Sequence, residues 1–588
     1  MNRINKSFVA LTLLLFLSLP SSFAAALAQT RSDQNRPRSA VGVGQGENRR
    51  SQRQGTYRGP KLVVLIVVDQ FRYDYVERFD PYFGKDGFRR LIKEGSLFTN
   101  ANYDYAQTYT APGHACISTG SIPALNGIIG NRWVDPATGQ ISEMVSDSKT
   151  KIVTNQGVGE EQGSSPHLLI GTAFADQIRL ANNFKSKVVA VSYKDRSAIL
   201  PGGKKPNGAY WFSARAGEFI TSDYYTKQLS GWVKNFNASN RPDKFFGAKW
   251  ERALPEEEYS VAQTGYLPIQ RSSLGQGFPY TITGGEPKPG SRFYNAFQFT
   301  PFASDYLASF AKAAVEGEEL GKDEYVDMLS ISFSSPDLIG HSYGPDSQEV
   351  MDAYIRLDQT VADLLGYLNK QVGLSNVVIA VTADHGVCPV PEYLGSLGFE
   401  ASRISGRAIE EAARKALNER FGDDKLISAF INDQFFLNRK RIAEKNISWS
   451  EAARIAGEAA LTVPGVVEYF TRFQIMEGRM PSSALARRIT NGFHRERSGD
   501  VWLVTKPFSF LAEGPLATTH GSPYHYDTHV PIIFFGARVK AGRVHVECSP
   551  SDIAPTLAAI LRIEPPPTAT GRALAEAIAD ERQISPDR

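Results

Sequence analysis

Runs of apolar, mostly β-branched residues recur along the chain and alternate with segments of helical period. The first run, Lys61–Val68, shows no alternation of apolar with polar positions and ends directly before Asp69. Such a run is typical of a strand buried on both faces. The later runs that share this pattern are Lys187–Ser192, Val326–Phe333, Asn376–Thr382, Val501–Thr505 and Val530–Phe535.

Helical patterns separate several of these runs. Asp346–Asn369 places Val350, Leu357 and Val361 at helical spacing, and Ser551–Leu561 is a second helical segment. Strands that alternate with helices favour a mostly parallel sheet covered on both faces. The predicted fold class is therefore α/β, with a mostly parallel central sheet sandwiched by helices and with inserted cap regions.

Two stretches interrupt the alternation and predict insertions into one α/β core. Residues 201–300 are rich in Gly, Pro and aromatic residues, whereas residues 396–500 hold charged helical segments, Ala408–Phe421 and Ser450–Leu461. Inserted regions around a rigid sheet commonly set specificity. The core is then expected in three parts, at residues 59–200, 301–395 and 501–575.

The N-terminus predicts a secretory signal at residues 1–28. Arg3 and Lys6 give a basic start, Phe8–Leu19 is apolar, and Ala26-Leu27-Ala28 supplies small residues for cleavage near Ala28. An uncleaved anchor is the alternative. The apolar stretch is too short to span a bilayer comfortably, and no later segment is apolar enough to do so. We expect a periplasmic or secreted protein without a membrane span.

Charge is concentrated at the N-terminal end. The formal net charge of the 588 residues is +3, but residues 1–58 carry +7 and residues 59–588 therefore carry −4. Residues 29–58 have few large apolar side chains, which predicts a disordered basic arm. Because the remaining chain has no basic excess, binding to a nucleic acid polymer is not expected.

Polar residues follow several of the predicted strands, at the edge where open parallel sheets carry their sites. Any one of them alone is more often a turn or capping residue. Together, carboxylates and imidazoles suit zinc, and six ligands match two ions rather than one. Paired metals can clamp both oxygens of a phosphoryl transfer. The six residues are Asp69, Asp337, His341, Asp384, His385 and His520.

Thr110 is the candidate nucleophile. It stands in Thr108-Tyr-Thr-Ala-Pro-Gly-His-Ala115, where Pro112 suits the first turn of a helix. Thr110 is then expected at or next to the helix N-cap, where free N–H groups favour an anion. The alternative is that Thr110 is only a capping residue. A metal bound to its oxygen would lower the pKa of the hydroxyl and activate it.

These motifs identify a resemblance to the alkaline phosphatase superfamily. Within it, the chain resembles the PafA-type phosphate-irrepressible alkaline phosphatases, near the nucleotide pyrophosphatases/phosphodiesterases. The resemblance covers residues 61–536 in seven ordered motifs, and SDIAPTLAAIL resembles the last core helix of the family. The seven are VVDQFRYDY, TYTAPGHA, GIIGNRW, SYKDR, PDLIGH, TADHG and HGSPYHYDTHVP.

The resemblance implies two Zn²⁺ ions per chain. One zinc would be held by Asp337, His341 and His520. The second would be held by Asp69, Asp384, His385 and the oxygen of Thr110.

The resemblance also implies that Asn131, Lys194 and Arg196 contact the phosphoryl oxygens. This trio suits a monoester dianion, because Lys and Arg can neutralise the additional charge. Taken alone, the pair Lys194 and Arg196 is more often a solvated charged turn.

Several neighbouring residues leave alternatives open. His525 and His529 compete with His520 as ligands; His520 is favoured because the family ligand directly precedes Gly. His114, within the predicted nucleophile helix, is expected to support the site from behind. Cys116 and Cys388 both lie near the predicted site and could approach each other, but buried free thiols are at least as frequent. Because position 110 is not Cys, sulfate esters are not expected as the main substrate.

The resulting hypothesis is a secreted zinc-dependent alkaline phosphatase, broad in leaving group, acting on small phosphate monoesters. Thr110 would attack phosphorus, form a phosphothreonine and release it to water. The near alternative is a phosphodiesterase or nucleotide pyrophosphatase with the same metals. The far alternative is a non-catalytic phosphate- or metal-binding protein on the same fold.

Overall fold

The computed structural model describes residues 59–580, except positions 136, 137, 240, 264, 266, 271, 273, 513 and 515. The predicted signal at 1–28 and the basic arm at 29–58 lie outside the described residues. Within the described part of the chain, no helix is long and apolar enough to cross a membrane.

The described strands vary from two to nine residues in length. In chain order they are β1 (Leu62–Val68), β2 (Ser96–Asn102), β3 (Arg132–Val134), β4 (Ile141–Glu143), β5 (Ser146–Thr154), β6 (Gly157–Ser164), β7 (Val188–Ser192), β8 (Gly208–Ser213), β9 (Glu218–Ser222), β10 (Lys249–Trp250), β11 (Tyr280–Thr281), β12 (Asp327–Phe333), β13 (Val377–Thr382), β14 (Ser402–Ile404), β15 (Ile427–Ile431), β16 (Gln434–Leu437), β17 (Val466–Thr471), β18 (Val501–Thr505), β19 (Ser509–Leu511), β20 (His529–Gly536) and β21 (Gly542–Val544).

The α-helices range from single turns to the long helix α11. In chain order they are α1 (Asp74–Arg78), α2 (Phe88–Glu94), α3 (Thr110–Thr119), α4 (Pro123–Asn126), α5 (Phe174–Ala181), α6 (Asp195–Gly202), α7 (Gly231–Ser239), α8 (Ser291–Phe297), α9 (Phe302–Gly317), α10 (Ser335–Tyr343), α11 (Gln348–Gln371), α12 (Pro391–Ser396), α13 (Gly406–Phe421), α14 (Arg439–Glu444), α15 (Trp449–Ala460), α16 (Arg472–Met476), α17 (Ala484–Gly492), α18 (His525–Thr528) and α19 (Ile553–Leu561).

The core of the fold is an 11-stranded sheet with the order β21-β2-β20-β13-β1-β12-β7-β8-β9-β5-β6. Its central strands β13, β1, β12, β7 and β8 are parallel neighbours. The flanking strands β20 and β9 join them in antiparallel fashion. The sheet is mixed: its centre is parallel, antiparallel pairs flank that centre, and β2 pairs in parallel with the edge strand β21. It agrees with the predicted α/β class.

Helices cover both faces of the sheet, because the buried strands present apolar side chains to each side. Along β1, Leu62, Val64 and Ile66 enter one apolar cluster, whereas Val63 and Leu65 enter another. The first cluster contains the buried faces of α9 and α11, and the second contains those of α5 and α19. The sandwich predicted from the uniformly apolar strands is therefore present.

A separate four-stranded sheet, ordered β15-β16-β18-β17, lies in the second inserted region. Its antiparallel strands pack with α13 and α15 around a core of their own, which includes Ile409, Ala456 and Val501. This corrects the expectation for Val501–Thr505, which was grouped with the core strands. These residues form β18, which pairs with β16 and β17 of the insertion and belongs to the inserted sheet.

The first predicted insertion also contributes to the core. Within 201–300, β8 continues the parallel part of the central sheet beside β7, and β9 pairs with β8. Only the segments after β9 form the aromatic cap, in which Trp250 and Tyr280 are buried against α11. The insertion was expected to start at residue 201, but β8 and β9 still belong to the central sheet, and the cap starts after them.

Candidate active site

The carboxyl ends of the parallel strands carry the buried charged residues. Asp69 directly follows β1, Lys194 follows β7, Asp337 lies in the first turn of α10 after β12, and Asp384 follows β13. The three aspartates are buried. Because these strands are neighbours in the sheet, their ends meet, and residues far apart in sequence become one cluster.

Thr110 begins α3, directly after the N-cap residue Tyr109. Its Oγ1 lies 3.4 Å from His385 Nε2, and Lys194 Nζ donates to it at 3.4 Å. The helix approaches the sheet closely because residue 113 is glycine: a Cβ there would lie 2.2 Å from Asp384 O. The hydroxyl therefore stands at a helix N-terminus and beside the carboxylate cluster, as expected for a nucleophile.

Three histidines turn Nε2 toward the aspartates because a backbone carbonyl holds Nδ1. The Nδ1 atoms of His341, His385 and His520 lie 2.8, 2.9 and 2.8 Å from the carbonyl oxygens of residues 518, 386 and 108. Such a contact places the proton on Nδ1 and leaves Nε2 as a lone-pair donor. Metal-ligating histidines are commonly oriented in this way.

The inward ring nitrogens lie near the carboxylates. His341 Nε2 lies 3.2 Å from Asp337 Oδ1, and His520 Nε2 lies 3.7 Å from the same oxygen. His385 Nε2 lies 3.4 Å from Asp69 Oδ1 and 3.4 Å from Asp384 Oδ2. The rings of His385 and His520 stack at 3.4 Å between centroids. All six candidate Asp and His ligands therefore belong to one cluster.

Two groups within this cluster could each hold a metal ion. In one, Asp337, His385 and His520 offer ligand atoms within 4.8 Å of one another; in the other, Asp69, Asp384 and His385 do so. The second group matches the expected ligand set. The first contains His385 where the resemblance implied His341, because His385 lies between both groups. His341 Nε2 nevertheless lies close to Asp337 Oδ1.

The electrostatics of the cluster favour bound cations. Burial, followed by the charges of Asp337 and Asp384, raises the pKa of Asp69 well above its usual value. Burial also disfavours the charged form of Asp337, but His341 and Lys194 outweigh it and hold its pKa well below the usual range. Burial and the neighbouring His385 lower the pKa of His520, which keeps that imidazole neutral.

Two carboxylate oxygens at the centre of the cluster lack a hydrogen-bond donor. Among the described residues, neither Asp69 Oδ1 nor Asp384 Oδ2 has a hydrogen-bond partner, although both atoms are buried. Buried carboxylates are normally paired or bound to a metal. Anionic oxygens without donors, next to neutral imidazole nitrogens, fit divalent metal ions.

Lys194 enters the cluster itself. Its Nζ donates to Asp69 Oδ2 at 2.5 Å and to Asp337 Oδ2 at 2.6 Å. Burial works against its charged form, but Asp337 and Asp69 outweigh it and raise the pKa of Lys194. The ammonium group therefore stays charged within reach of Thr110.

Asn131 and Arg196 occupy the rim. Asn131 Oδ1 accepts from Ala111 N at 3.0 Å, which fixes the amide against the start of α3. Arg196 lies in the first turn of α6, and its guanidinium is 4.0 Å from Asp195. This neighbour, Asp195, is not one of the six candidate Asp and His ligands. The structure thus brings Asn131 and Lys194 to the start of α3 and places the charge of Arg196 near enough to act on Lys194.

Gln70 is a functional neighbour that the sequence analysis missed. Its Nε2 donates to Asp337 Oδ1 at 2.6 Å, and its backbone N donates to Asp384 Oδ1 at 3.2 Å. Gln70 thereby orients two candidate ligands at once. The available signal was its position directly after Asp69, at the end of a buried strand.

The remaining histidines have supporting contacts. His114 Nδ1 lies 2.8 Å from Thr110 O, and its Nε2 lies 2.8 Å from Ser332 Oγ, so it does brace α3 from behind. His529 Nε2 lies 2.9 Å from Thr99 O, and the ring stacks on Tyr73. His529 is thus held away from the cluster, next to His525.

The cysteines are all buried and free. No disulfide joins Cys116 to Cys388, which answers the question that the sequence left open. Burial raises the pKa of both thiols well above the usual value. They are packing residues in their thiol form.

A cavity of about 270 Å³ adjoins the cluster. The cavity is lined by Asn131 and His520, by Arg403 and Asn432 of the second insertion, and by Phe510 of β19. A group attached to a phosphate beside Thr110 has room here.

A buried Asp and His cluster lies at the carboxyl edge of the parallel strands, beside a hydroxyl at a helix N-terminus, as the resemblance to the alkaline phosphatase superfamily implies. The sequence comparison agrees: the family model of type I phosphodiesterase / nucleotide pyrophosphatase matches residues 63–527. The chain belongs to this family.

Its relatives include two bacterial alkaline phosphatases. Alkaline phosphatase PafA of Elizabethkingia meningoseptica is 36% identical over 534 residues, covering 88% of this chain and 94% of the relative. Alkaline phosphatase PhoV of Synechococcus elongatus is 36% identical over 526 residues, covering 88% and 92%. The predicted resemblance to the PafA-type branch is confirmed, and the chain is an enzyme of the alkaline phosphatase class.

The fold is also similar to solved structures of PafA. The wild-type crystal structure has a TM-score of 0.81 at 34% identity and covers 89% of this chain and 99% of that one. A PafA variant substituted at one threonine, one asparagine, one lysine and one arginine has a TM-score of 0.82 at 33% identity, with the same coverage. The α/β class and architecture predicted from sequence are confirmed.

Proposed function

We propose that the chain is a secreted, zinc-dependent alkaline phosphatase that hydrolyses small phosphate monoesters through a phosphothreonine at Thr110. The observation that carries this proposal is the position of the Thr110 hydroxyl. It stands at the start of α3, 3.4 Å from Lys194 Nζ and 3.4 Å from His385 Nε2. The identity to PafA and PhoV over most of the chain supports the substrate class.

The proposed metal content is two Zn²⁺ ions. Asp69, Asp384 and His385, with the oxygen of Thr110, would hold one. The other would be held by Asp337, His341 and His520, with His385 close to both. When bound, the ions supply Lewis acidity toward phosphoryl oxygens and lower the pKa of a coordinated hydroxyl. The carboxylate oxygens of Asp69 and Asp384 that lack donors support this assignment.

The two displacement steps at phosphorus are assigned to Thr110 and water. Thr110 gives up its hydroxyl proton to solvent, and its Oγ1 forms a bond to phosphorus while the bond to the leaving oxygen breaks. The leaving group departs on the opposite side and takes a proton from water. Water then attacks the phosphothreonine, the Thr110–phosphorus bond breaks, and the threonine oxygen recovers a proton. Two in-line displacements give net retention at phosphorus.

Asn131, Lys194 and Arg196 are proposed to hold the phosphoryl oxygens. Lys194 Nζ already reaches Thr110 Oγ1, and Asn131 lies against the first turn of the same helix. Arg196 lies beside Asp195, and its charge acts on Lys194. Charge neutralisation and positioning of this kind carry most of the catalysis in phosphoryl transfer. The PafA variant has substitutions in the same four residue types as Thr110, Asn131, Lys194 and Arg196.

A phosphodiesterase or nucleotide pyrophosphatase is the second candidate, because the matching family model carries that description. The deciding experiment measures kcat/KM for a nitrophenyl phosphate monoester and for the matching diester on the zinc-loaded mature protein. Wild type is compared with Lys194→Ala and Arg196→Ala. The exposed Lys205→Ala, after α6, serves as the control.

We expect a large monoester preference in the wild type. A monoester dianion carries more unesterified oxygen charge, so both substitutions should reduce monoester turnover much more than diester turnover. A diester preference, or equal losses for both substrates, would transfer the assignment to the second candidate. No turnover at full metal occupancy would leave only a binding function.

Secretion is the remaining part of the proposal. It rests on the three-part signal pattern within residues 1–28. The measurement is the mass of the exported protein: a chain that begins near Gln29 supports the proposal, and a full-length cytoplasmic product contradicts it.

A further inference from the structure

The β15–β16 hairpin of the inserted sheet reaches the active site. Its two-residue turn, Asn432-Asp433, has both residues in the left-handed backbone region, with φ of 52° and 58°. Turns of this type match the twist of antiparallel strands, and Asn and Asp tolerate that region better than most residues. The hairpin therefore ends in a defined tip, and the tip lines the cavity beside Asn131.

Asn432 connects the two loops that carry proposed phosphoryl contacts. Its Nδ2 donates to Arg132 O at 2.7 Å, and its backbone carbonyl accepts from Gln107 Nε2. Gln107 precedes Thr110 on the nucleophile loop, and Arg132 directly follows Asn131. One residue of the insertion thus contacts both loops.

The hairpin is also packed against these loops. A Cβ atom on Gly130 would lie 2.6 Å from Asn432 Nδ2, so the loop passes the amide at a distance that suits glycine. Ile431 and Phe436 of the hairpin share a buried apolar cluster with Ala111 of α3. The tip therefore has a fixed position relative to α3, and Asn432 can transmit that position to the Asn131 loop.

We propose that Asn432 is a positioning residue that holds the Asn131 amide in its working orientation by fixing the Arg132 peptide. This inference rests on the proposed function, because it requires Asn131 to contact the phosphoryl group. Asn131 has one fixed point on the helix side, its Oδ1 contact to Ala111 N. The Arg132 peptide is the second fixed point, and it is held from the insertion.

The test is a double-mutant cycle between Asn432→Gly and Asn131→Ala, on the full-length mature, zinc-loaded enzyme. Glycine keeps the left-handed backbone and removes only the side-chain amide. The readouts are kcat/KM for nitrophenyl phosphate, the inhibition constant for inorganic phosphate and the thermal unfolding midpoint. Coupling between the two sites is measured as the difference in the effect of Asn432→Gly in the two backgrounds.

We expect Asn432→Gly to reduce kcat/KM about five- to tenfold, which corresponds to the net contribution of one hydrogen bond. Phosphate inhibition should weaken by a similar factor. In the Asn131→Ala background, the same substitution should change either value less than about twofold. Asn432→Asp keeps the shape but turns an acceptor toward Arg132 O, so its loss should be at least as large.

The matched control is Asn446→Gly. Asn446 also has φ of 52°, but it is exposed and follows α14 in the insertion. It should leave kcat/KM and phosphate inhibition unchanged, which shows that a glycine in a left-handed turn is not itself the cause.

Two results overturn the inference alone: no loss with Asn432→Gly, or an equal loss in both backgrounds while Asn131→Ala is itself damaging. In the second case Asn432 contributes only to general structure. If Asn131→Ala leaves kcat/KM unchanged, the proposed phosphoryl contact of Asn131 fails, and the inference fails with it. The two failures are thereby distinguished.

Discussion

Buried aspartates in two regions of this molecule have opposite surroundings. In the inserted sheet, Asp500 accepts from Arg472 Nη1 at 3.1 Å and from Leu437 N at 2.7 Å, and Arg439 lies 3.4 Å away. At the carboxyl edge of the central sheet, Asp69 and Asp384 each keep a buried oxygen without a donor in the part of the chain that the structure describes.

The difference separates a supporting region from a reactive one. The carboxylate of Asp500 is satisfied by its own neighbours, so it stabilises the insertion as it stands. At the sheet edge, three carboxylates share one ammonium, and the pKa values of His385 and His520 are lowered, so the arrangement fits additional bound positive charge. Such imbalance is typical of functional sites. The comparison can be tested from both sides, beginning with the largest expected effect.

Removing the hydroxyl at the edge should abolish catalysis. We expect Thr110→Ala to reduce kcat on a nitrophenyl phosphate by about 10⁴-fold, since the nucleophile is lost while the fold is kept. Phosphate labelling of the protein should disappear as well. Thr119→Ala, at the far end of the same helix, is the control and should keep turnover within about twofold of wild type. Wild-type turnover in Thr110→Ala would remove this residue from the mechanism.

Removing the metals should expose the unbalanced charge. Chelation should abolish activity reversibly and lower the free energy of unfolding by about 3 kcal/mol, because ions that bind only the folded state stabilise it. In Asp69→Asn the drop should be much smaller, since the substitution removes one of the proposed carboxylate ligands and weakens metal binding. Denaturant unfolding with and without chelator provides the measurement.

The control for the metal experiment is Asp86→Asn, which changes an exposed aspartate. It should lose as much stability on chelation as the wild type does. If Asp69→Asn behaves like this control, the edge carries no unbalanced charge and the comparison between the two regions fails.

The inserted sheet should show the opposite response. Asp500→Ala leaves Arg472 buried without its carboxylate, so we expect a loss of about 3 kcal/mol in the free energy of unfolding. The folded fraction should keep kcat within about threefold, because Asp500 does not contact the site. Exposed Asp424→Ala is the matched control. A large loss of kcat with unchanged stability would place Asp500 in the catalytic machinery instead.

The smallest effect concerns Asp327, at the amino end of β12. Burial raises its pKa from 3.8 to about 6. The folded state therefore favours the protonated form. Its contribution to stability is fully present below pH 3.8 and is lost as the pH rises through about 6. We expect wild type to lose about 1–2 kcal/mol more than Asp327→Asn between pH 4 and pH 7.

The comparison of Asp327→Asn with wild type cancels the titration of all other groups. Chemical unfolding at several pH values measures both proteins. If the free energy of unfolding depends on pH in the same way in both proteins, Asp327 is charged throughout this range. The amino end of the central sheet would then tolerate a buried charge, as the insertion does.

The edge residues could be proposed from the sequence because their signals are local. Asp69 follows β1 directly, Asp384 follows β13 after one intervening residue, and Asp337 and His341 are separated by one helical turn. The boundaries of the core strands were also close, since uniformly apolar β-branched runs rarely occur elsewhere.

Strand partners and tertiary contacts could not be predicted in the same way. Val501–Thr505 has the composition of a core strand, yet it pairs with β16 and β17 because the insertion supplies those edges. Asn432 carries only a turn signal in the sequence, and its contacts with Gln107 and Arg132 arise when the hairpin docks. The grouping of the candidate ligands also differed from the one that the resemblance implies, because His385 comes to lie between both groups only when the chain folds.

The carbonyls that orient the imidazoles also determine when the metal site comes into existence. His520 is oriented by a carbonyl 412 positions away, and His341 by one 177 positions away. Contacts of such sequence separation are slow to form, because loop-closure entropy opposes them. A nascent or partly folded chain offers only the local pairs Asp337 with His341 and Asp384 with His385. The proposed metal sites therefore need the finished fold, and metal binding to them would report that folding is complete.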